Sequence, residues 1–121
     1  MVRRNEHTAA FAAASEGLKV QETTGYGHWG AELHRLKGVA LIGLNRIDEA
    51  QATFADALRV ARGQQAKSYE LRAATSLARL WGEQGRRSEA LELVAPVYGW
   101  FTEGFDTADL KEAKALLDHL A

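Results

Sequence analysis

The chain is expected to be all-α: about six helices folded back on one another as antiparallel hairpins and stacked into a solenoid. Three observations predict this. Apolar residues recur at the 3.6-residue spacing of one helix face. The pattern repeats after 40 residues, the distance from Asp48 to Ser88. The 121 residues hold a single proline, Pro96, and many alanines, so intrinsic propensity favours helix throughout.

Alignment of Asp48-Glu49-Ala50 with Ser88-Glu89-Ala90 defines the repeat. Downstream, Phe54 falls on Val94, Ala57 on Val97, Leu58 on Tyr98 and Ala61 on Phe101. Both runs place apolar residues at i, i+4, i+7, i+8 and i+11. Upstream, Trp29 falls on Tyr69, Gly38 on Ala78, Leu41 on Trp81 and Asn45 on Gly85. Asn and Gly are the residues that best accept the left-handed conformation after a helix end. Asp48 and Ser88 are then expected to open the next helices as short polar N-caps.

Each unit therefore consists of helix, tight turn, helix. The first runs over 29–62, with helices over 29–44 and 48–62. The second runs over 67–101, with helices over 67–83 and 88–101. Residues 63–66 connect them, and the unit is longer than the ~34 residues common among helix-hairpin repeats, so connections or helix ends must be longer. Pro96 lies inside the last of these helices and is expected to kink it.

The same shift carries Ala10, Ala14 and Leu18 onto Ala50, Phe54 and Leu58, so 5–21 is a half repeat with a small-residue face. Residues 22–28 are expected as a loop. At the far end, Asp106 or Thr107 can cap a closing helix within 107–120, striped by Leu110, Ala113, Leu117 and Leu120. The whole of 1–121 forms one repeat domain. A solenoid unit buries its face on its neighbour, and helix 5–21 has no partner before it. Either its small face needs little cover, or cover comes from elsewhere: a larger protein, or a homo-oligomer formed through this terminal helix.

Composition narrows the function. Hydrophobic residues make up 46%, which excludes a disordered chain. Lys and Arg number 15 against 16 Asp and Glu, for a net charge of −1, which supplies no electrostatic drive toward nucleic acid or membrane. Cysteine is absent, which removes disulfides, thiol catalysis and cysteine-based metal sites and suits a reducing cytoplasm. No apolar run approaches the ~20 residues needed to cross a bilayer, and Glu6, His7 and Glu16 interrupt anything like a secretory signal.

Motifs for chemistry are missing. There is no phosphate-binding Gly-x-x-x-x-Gly-Lys-Ser/Thr. Gly25-Tyr26-Gly27-His28-Trp29-Gly30 has glycines at positions 1, 3 and 6, but it follows a polar segment rather than a strand and suits a connector better. His7, His28, His34 and His119 make no i, i+4 pair. Ser15, Ser68, Ser76 and Ser88 lack a nucleophile elbow. No catalytic residue, metal or cofactor is expected. Trp81, Tyr98, Trp100, Phe101 and Phe105 are expected mainly as core, where aromatics at helical spacing usually lie, with an exposed partner patch as the alternative.

The small residue Gly38, followed by Ala50, Phe54 and Ala57, resembles the tetratricopeptide repeat, with Ala78, Trp81, Ala90 and Val94 a looser second copy. Lys37, His34 and Pro96 depart from that pattern. Three stretches also resemble the C-terminal helical region of large bacterial signalling proteins: 29–38, 68–81 and, most specifically, 93–107 (LVAPVYGWFTEGFDT). In those adenylate/guanylate-cyclase or winged-helix regulators, the repeats follow an ATPase module. The likeness covers the repeat portion only. It implies a non-catalytic regulatory or protein-binding module, with a spacer or assembly role as the alternative and a small enzyme as a more remote one.

The resemblance also implies a site. In tetratricopeptide domains the first helix of each hairpin lines a concave groove, which by position gives Glu32, Arg35, Val39 and Ile42, then Arg72, Thr75, Arg79 and Glu83. Arg72 and Arg79 lie seven residues apart and share a face; with Arg35 they can form a basic strip for an acidic peptide or a C-terminal carboxylate. The simpler alternative is that they are solvated and paired with Glu32, Glu70 or Glu83.

Overall fold

A computed structural model describes residues 4–24 and 30–121, with side-chain surroundings for 5–20 and 30–121. Six helices account for nearly all of them: α1 (Arg4–Thr24), α2 (Gly30–Gly43), α3 (Ile47–Gly63), α4 (Lys67–Glu83), α5 (Arg87–Trp100) and α6 (Ala108–Leu120). No strand occurs among the described residues. The expected loop over 22–28 is corrected in its first part, because Glu22–Thr24 finish α1. Gly25–Trp29, including the predicted first residue of α2, lie outside the described residues.

Three turns of identical design join α2 to α5. Leu44-Asn45-Arg46, Gln64-Gln65-Ala66 and Gln84-Gly85-Arg86 each carry a left-handed central residue, with φ of 61° at Asn45, 55° at Gln65 and 81° at Gly85. The third residue of each turn donates its N–H to a carbonyl five residues back: Arg46 to Leu41, Ala66 to Ala61, Arg86 to Trp81. The central residue donates three back, to Ile42, Arg62 and Gly82. This pair of bonds satisfies carbonyls that a helix end otherwise leaves bare. The same third residue then accepts the first bond of the following helix, from Ala50, Glu70 and Ala90.

Asn45 and Gly85 thus occupy the left-handed positions expected of them. The caps do not follow: Arg46 and Arg86, not Asp48 and Ser88, are the N-cap residues, and neither guanidinium makes a capping bond. One residue closes the old helix and opens the new one, so the helix has already begun at Ile47 or Arg87 when Asp48 or Ser88 is reached. Thr107 is the N-cap of α6, and its hydroxyl likewise makes no capping bond. The extra length of the repeat lies in the helices, 17 residues each for α3 and α4, and not in the connection between units, which is as short as the turns within them. Helix α5 runs unbroken through Pro96 and ends at Trp100, one residue before the expected limit.

Each helix contacts the next, and the alternate helices α2, α4 and α6 also touch in succession, while α3 and α5 do not. The core follows the repeat. Ala50 and Ala90, Phe54 and Val94, Ala57 and Val97 are all buried, as are Ala73, Ala74, Leu77 and Ala78 of α4. The α2–α3 approach is tight at Gly38, where an added Cβ would lie 2.5 Å from Phe54 Cε1 and 2.7 Å from Cδ1. A small residue on the first helix of the hairpin admits a ring from the second. Helix α6 buries Leu110, Ala113, Leu116 and Leu120, so its stripe is rotated toward Leu116, with Leu117 only partly covered. Charge supports the turns: Arg46 pairs with Glu49, and Arg86 with Glu89 at 2.6 Å. The hydrogen bond from Arg86 holds the Glu89 carboxyl below the usual range.

Two stability outcomes follow. Gly38→Ala should lower stability by about 1–2 kcal/mol net in denaturant titration, because the clash with Phe54 outweighs the ~1 kcal/mol gain in helix propensity; Phe54→Leu in the same protein should recover part of that loss. Gln65→Gly should raise stability by about 1 kcal/mol, since only glycine holds this left-handed turn without a Cβ cost; an unchanged denaturation midpoint would contradict the turn geometry.

Candidate functional site

Because α2, α4 and α6 touch in succession, they form one continuous face. An open cavity of about 350 Å³ lies on it, lined by Arg35 and Val39 of α2, Arg72, Thr75 and Arg79 of α4, and Asp109 and Glu112 of α6. Five of the eight residues expected at the groove therefore converge. Glu32 borders the cavity through its ion pairs. Ile42 and Glu83 do not belong to it: Ile42 packs against the core, and Glu83 lines a neighbouring cleft with Gly82, Leu116 and His119. Ile42 shares the face of Arg35 but lies seven residues, about 10 Å, farther along α2, past the stretch that lines the cavity.

The arginines form a network, not a bare basic strip. Arg72 Nε donates to Asp109 Oδ2 at 2.7 Å, and its Nη1 lies 3.7 Å from Glu32 Oε2. Arg35 Nη2 donates to Glu32 Oε1 at 2.5 Å, and Arg79 Nη2 lies 4.0 Å from Glu112 Oε2. Glu32 is thus shared by α2 and α4, and Arg72 links α2, α4 and α6. The hydrogen bond to Asp109, followed by the charges of Asp109 and Glu32, raises the Arg72 pKa further despite its partial burial. Three arginines face three carboxylates, so the cavity is polar with little net charge.

The carboxylate partners expected for these arginines are corrected in two of three cases. Glu32 is a partner. Glu70 is buried and serves Arg62 and Lys67 instead, at 3.2 and 3.3 Å. Asp109 and Glu112 take the remaining roles. Nothing in the sequence pairs residue 72 with residue 109; only the stacking of α6 on α4 does. The hydroxyl of Thr75 donates to the Leu71 carbonyl at 2.7 Å, which commits it to its own helix.

The aromatic group divides. Trp81, Tyr98 and Phe101 are partly buried against the core, but Trp100 is 58% and Phe105 45% exposed. The expectation that all five form core is corrected for these two. Trp100 follows Val97 by three positions on a helix whose inner face is set by Ala90, Val94 and Val97, and the helix ends there. Its ring stands edge-on to Phe101 at 5.2 Å, with Lys67 Nζ 5.5 Å from its centroid. Both aromatics line a wide hollow of about 750 Å³ with Arg62, Ser68 and Glu70.

Among the described residues, no three His, Asp or Glu side chains are grouped so as to hold a metal ion, and no helix is long and apolar enough to cross a membrane.

Trp100→Ala should change stability by no more than about 0.5 kcal/mol, as for other surface sites, whereas Val94→Ala should cost about 1–3 kcal/mol. Thermal melts of the two variants, compared with the parent, test this division of the aromatic group.

No family model matches the sequence, and no curated protein or solved structure matches it.

Proposed function

We propose that the protein is a non-catalytic, tetratricopeptide-like helix-hairpin solenoid whose α2–α4–α6 face binds a protein or peptide. One observation carries this reading. The alternate helices α2, α4 and α6 build a single face on which charged side chains from three helices surround an open cavity. Binding modules need such a surface: side chains of both signs, presented on rigid helices rather than on loops.

The ion pairs refine the class of partner. A simple acidic peptide would have to compete with Glu32, Asp109 and Glu112 for arginines they already hold. A segment of mixed charge suits the face better, since its carboxylates can replace these while its cations receive the displaced ones. The stretches that resemble bacterial cyclase and winged-helix regulators support a place in bacterial signal transduction, in the cytoplasm, with neighbouring domains of a larger regulator as the nearest partners.

The same network favours a second reading, a structural spacer. The contacts of Arg72 with Asp109 and Glu32 brace three helices whether or not a ligand arrives. Exposed or half-exposed ion pairs contribute only about 0–1 kcal/mol each, so the brace alone is weak.

The double variant Arg72→Gln/Arg79→Glu separates the two readings. For a binding face, recovery of partners from a bacterial lysate should fall at least ~10-fold, or about 1.4 kcal/mol, with the thermal melt shifted only slightly. Unchanged recovery with a lowered melt would leave the spacer reading.

A further inference from the structure

The fold contains a template for an interface it leaves open. Helix α4 touches α2, α3, α5 and α6, while α2 touches only α1, α3 and α4. The cleft between α3 and α4 is filled by α2. One repeat earlier, the cleft between α1 and α2 holds no helix among the described residues. It is an apolar groove of about 440 Å³, with Ala10, Ala13 and Ala14 on one wall and Leu33, Leu36 and Val39 on the other. Leu36 and Val39 are 43% and 42% exposed. A shift of 40 carries Ala10, Ala13 and Ala14 onto Ala50, Thr53 and Phe54, and Leu33 and Leu36 onto Ala73 and Ser76. All five of those equivalents are buried.

We propose that the α1/α2 groove docks an amphipathic α-helix of another polypeptide, one that carries large aliphatic side chains on its apolar stripe. The groove continues the layer α6–α4–α2 by one place, and a helix there would lie on α1 and α2 as α2 lies on α3 and α4. The size requirement comes from an exchange of volume. Within the first unit, Gly38 on α2 makes room for the ring of Phe54 on α3. Ala14 stands on α1 where Phe54 stands on α3. A helix entering the groove must therefore bring Leu, Ile or Met where α2 has glycine, or leave a void.

The groove extends from Glu6 to Ala14 along α1, about 12 Å at 1.5 Å per residue, so a stripe at i, i+3, i+4 and i+7 spans it. One end is closed where the His7 ring packs on α2, in the space a side chain at Gly43 would need.

A second copy of the protein fits the groove poorly. Two copies face to face would set one hollow against another. Stacked end to end, they would bring the outer side of α6 onto an apolar floor, and that side carries Lys111, Lys114 and Asp118, with Lys114 paired to Asp118 at 2.8 Å. The groove meets the arginine face at Val39, which lines both cavities, so the test uses positions that line the groove alone.

The probe is a fluorescein-labelled, end-capped 16-residue peptide with Leu at i, i+3, i+4 and i+7 on an Ala/Glu/Lys background. Its control is an isomer of the same composition with the leucines spread around the helix. Fluorescence anisotropy should show saturable binding of the striped peptide to the whole protein, at least ten-fold tighter than the isomer. Amide shifts should centre on Ala10, Ala13, Leu36 and Val39. Ala13→Glu/Leu36→Glu, at two exposed positions outside the arginine cavity, should weaken binding at least ten-fold with an unchanged circular-dichroism melt, and Arg72→Gln/Arg79→Glu should leave it intact. Absence of binding, equal binding of both peptides, or shifts centred elsewhere would overturn the proposal. So would a dimer in light scattering that Ala13→Glu/Leu36→Glu converts to monomer, since a second copy would then be the occupant.

Discussion

The left-handed residue at the centre of each turn is the constraint on which the rest depends. At Asn45, Gln65 and Gly85 the backbone reverses within three residues, and one residue serves as both the end of one helix and the start of the next. No slack remains to vary the angle between successive helices. Because the three turns share the same bonds, each helix leaves its predecessor in the same way, and every second helix returns to the same side. The contact of α2 with α4 follows from that uniformity, whereas α6, reached through the longer segment 101–107, meets α4 by packing alone. The interval between turn centres, 45 to 65 to 85, is 20 residues, half the period visible in side-chain pattern. Side chains repeat every 40 because the helices alternate between inner and outer layers and so meet different neighbours.

Volume complementarity then locks the layers. Gly38 beneath Phe54 is one instance, and the equivalent pair one repeat on, Ala78 and Val94, is buried with a less extreme partition of volume. Interiors pack to near-crystal density, so what one helix gives up its neighbour must fill. Helix α1 breaks this rule. Its alanines stand where α3 carries Thr53 and Phe54, and α2 beside it exposes Leu36 and Val39. The far end differs: α6 turns Lys111, Lys114 and Asp118 outward and closes the stack with charge. The two outer faces are thus chemically unlike, one charged and one apolar.

Electrostatics on the α2–α4–α6 face is organised around Arg72. Its guanidinium offers donors in a planar fork, which lets it hold Asp109 while facing Glu32. Arg35 and Arg79 extend the network outward, each opposite one carboxylate. Such a face presents alternating charge at low net potential. In the binding role proposed above, it would discriminate among partners by the arrangement of charges more than by attraction at long range. Exposed Trp100, beside Phe101 and Lys67, lies in a separate hollow lined from α3, α4 and the end of α5.

Local chemistry determined the helices, their number and most of their limits, because apolar periodicity and alanine content act within each segment. It also determined two of the three turns, since Asn45 and Gly85 advertise a left-handed backbone. Gln65 carries no such signal; its conformation is imposed by the helices on either side. Asp48 and Ser88 look like caps in isolation, yet the turn has already supplied the cap. Of the eight residues that the tetratricopeptide resemblance places at the groove, Arg35, Val39, Arg72, Thr75 and Arg79 line one cavity; spacing alone showed only that Arg72 and Arg79 share a face. Their partners were not legible. Asp109 and Glu112 reach the arginines only once α6 lies on α4, and Trp100 is exposed only because α5 ends before anything covers it. Which faces of α1 and α2 remain open was likewise decided by tertiary packing, because burial belongs to a pair of surfaces and a sequence describes them one at a time.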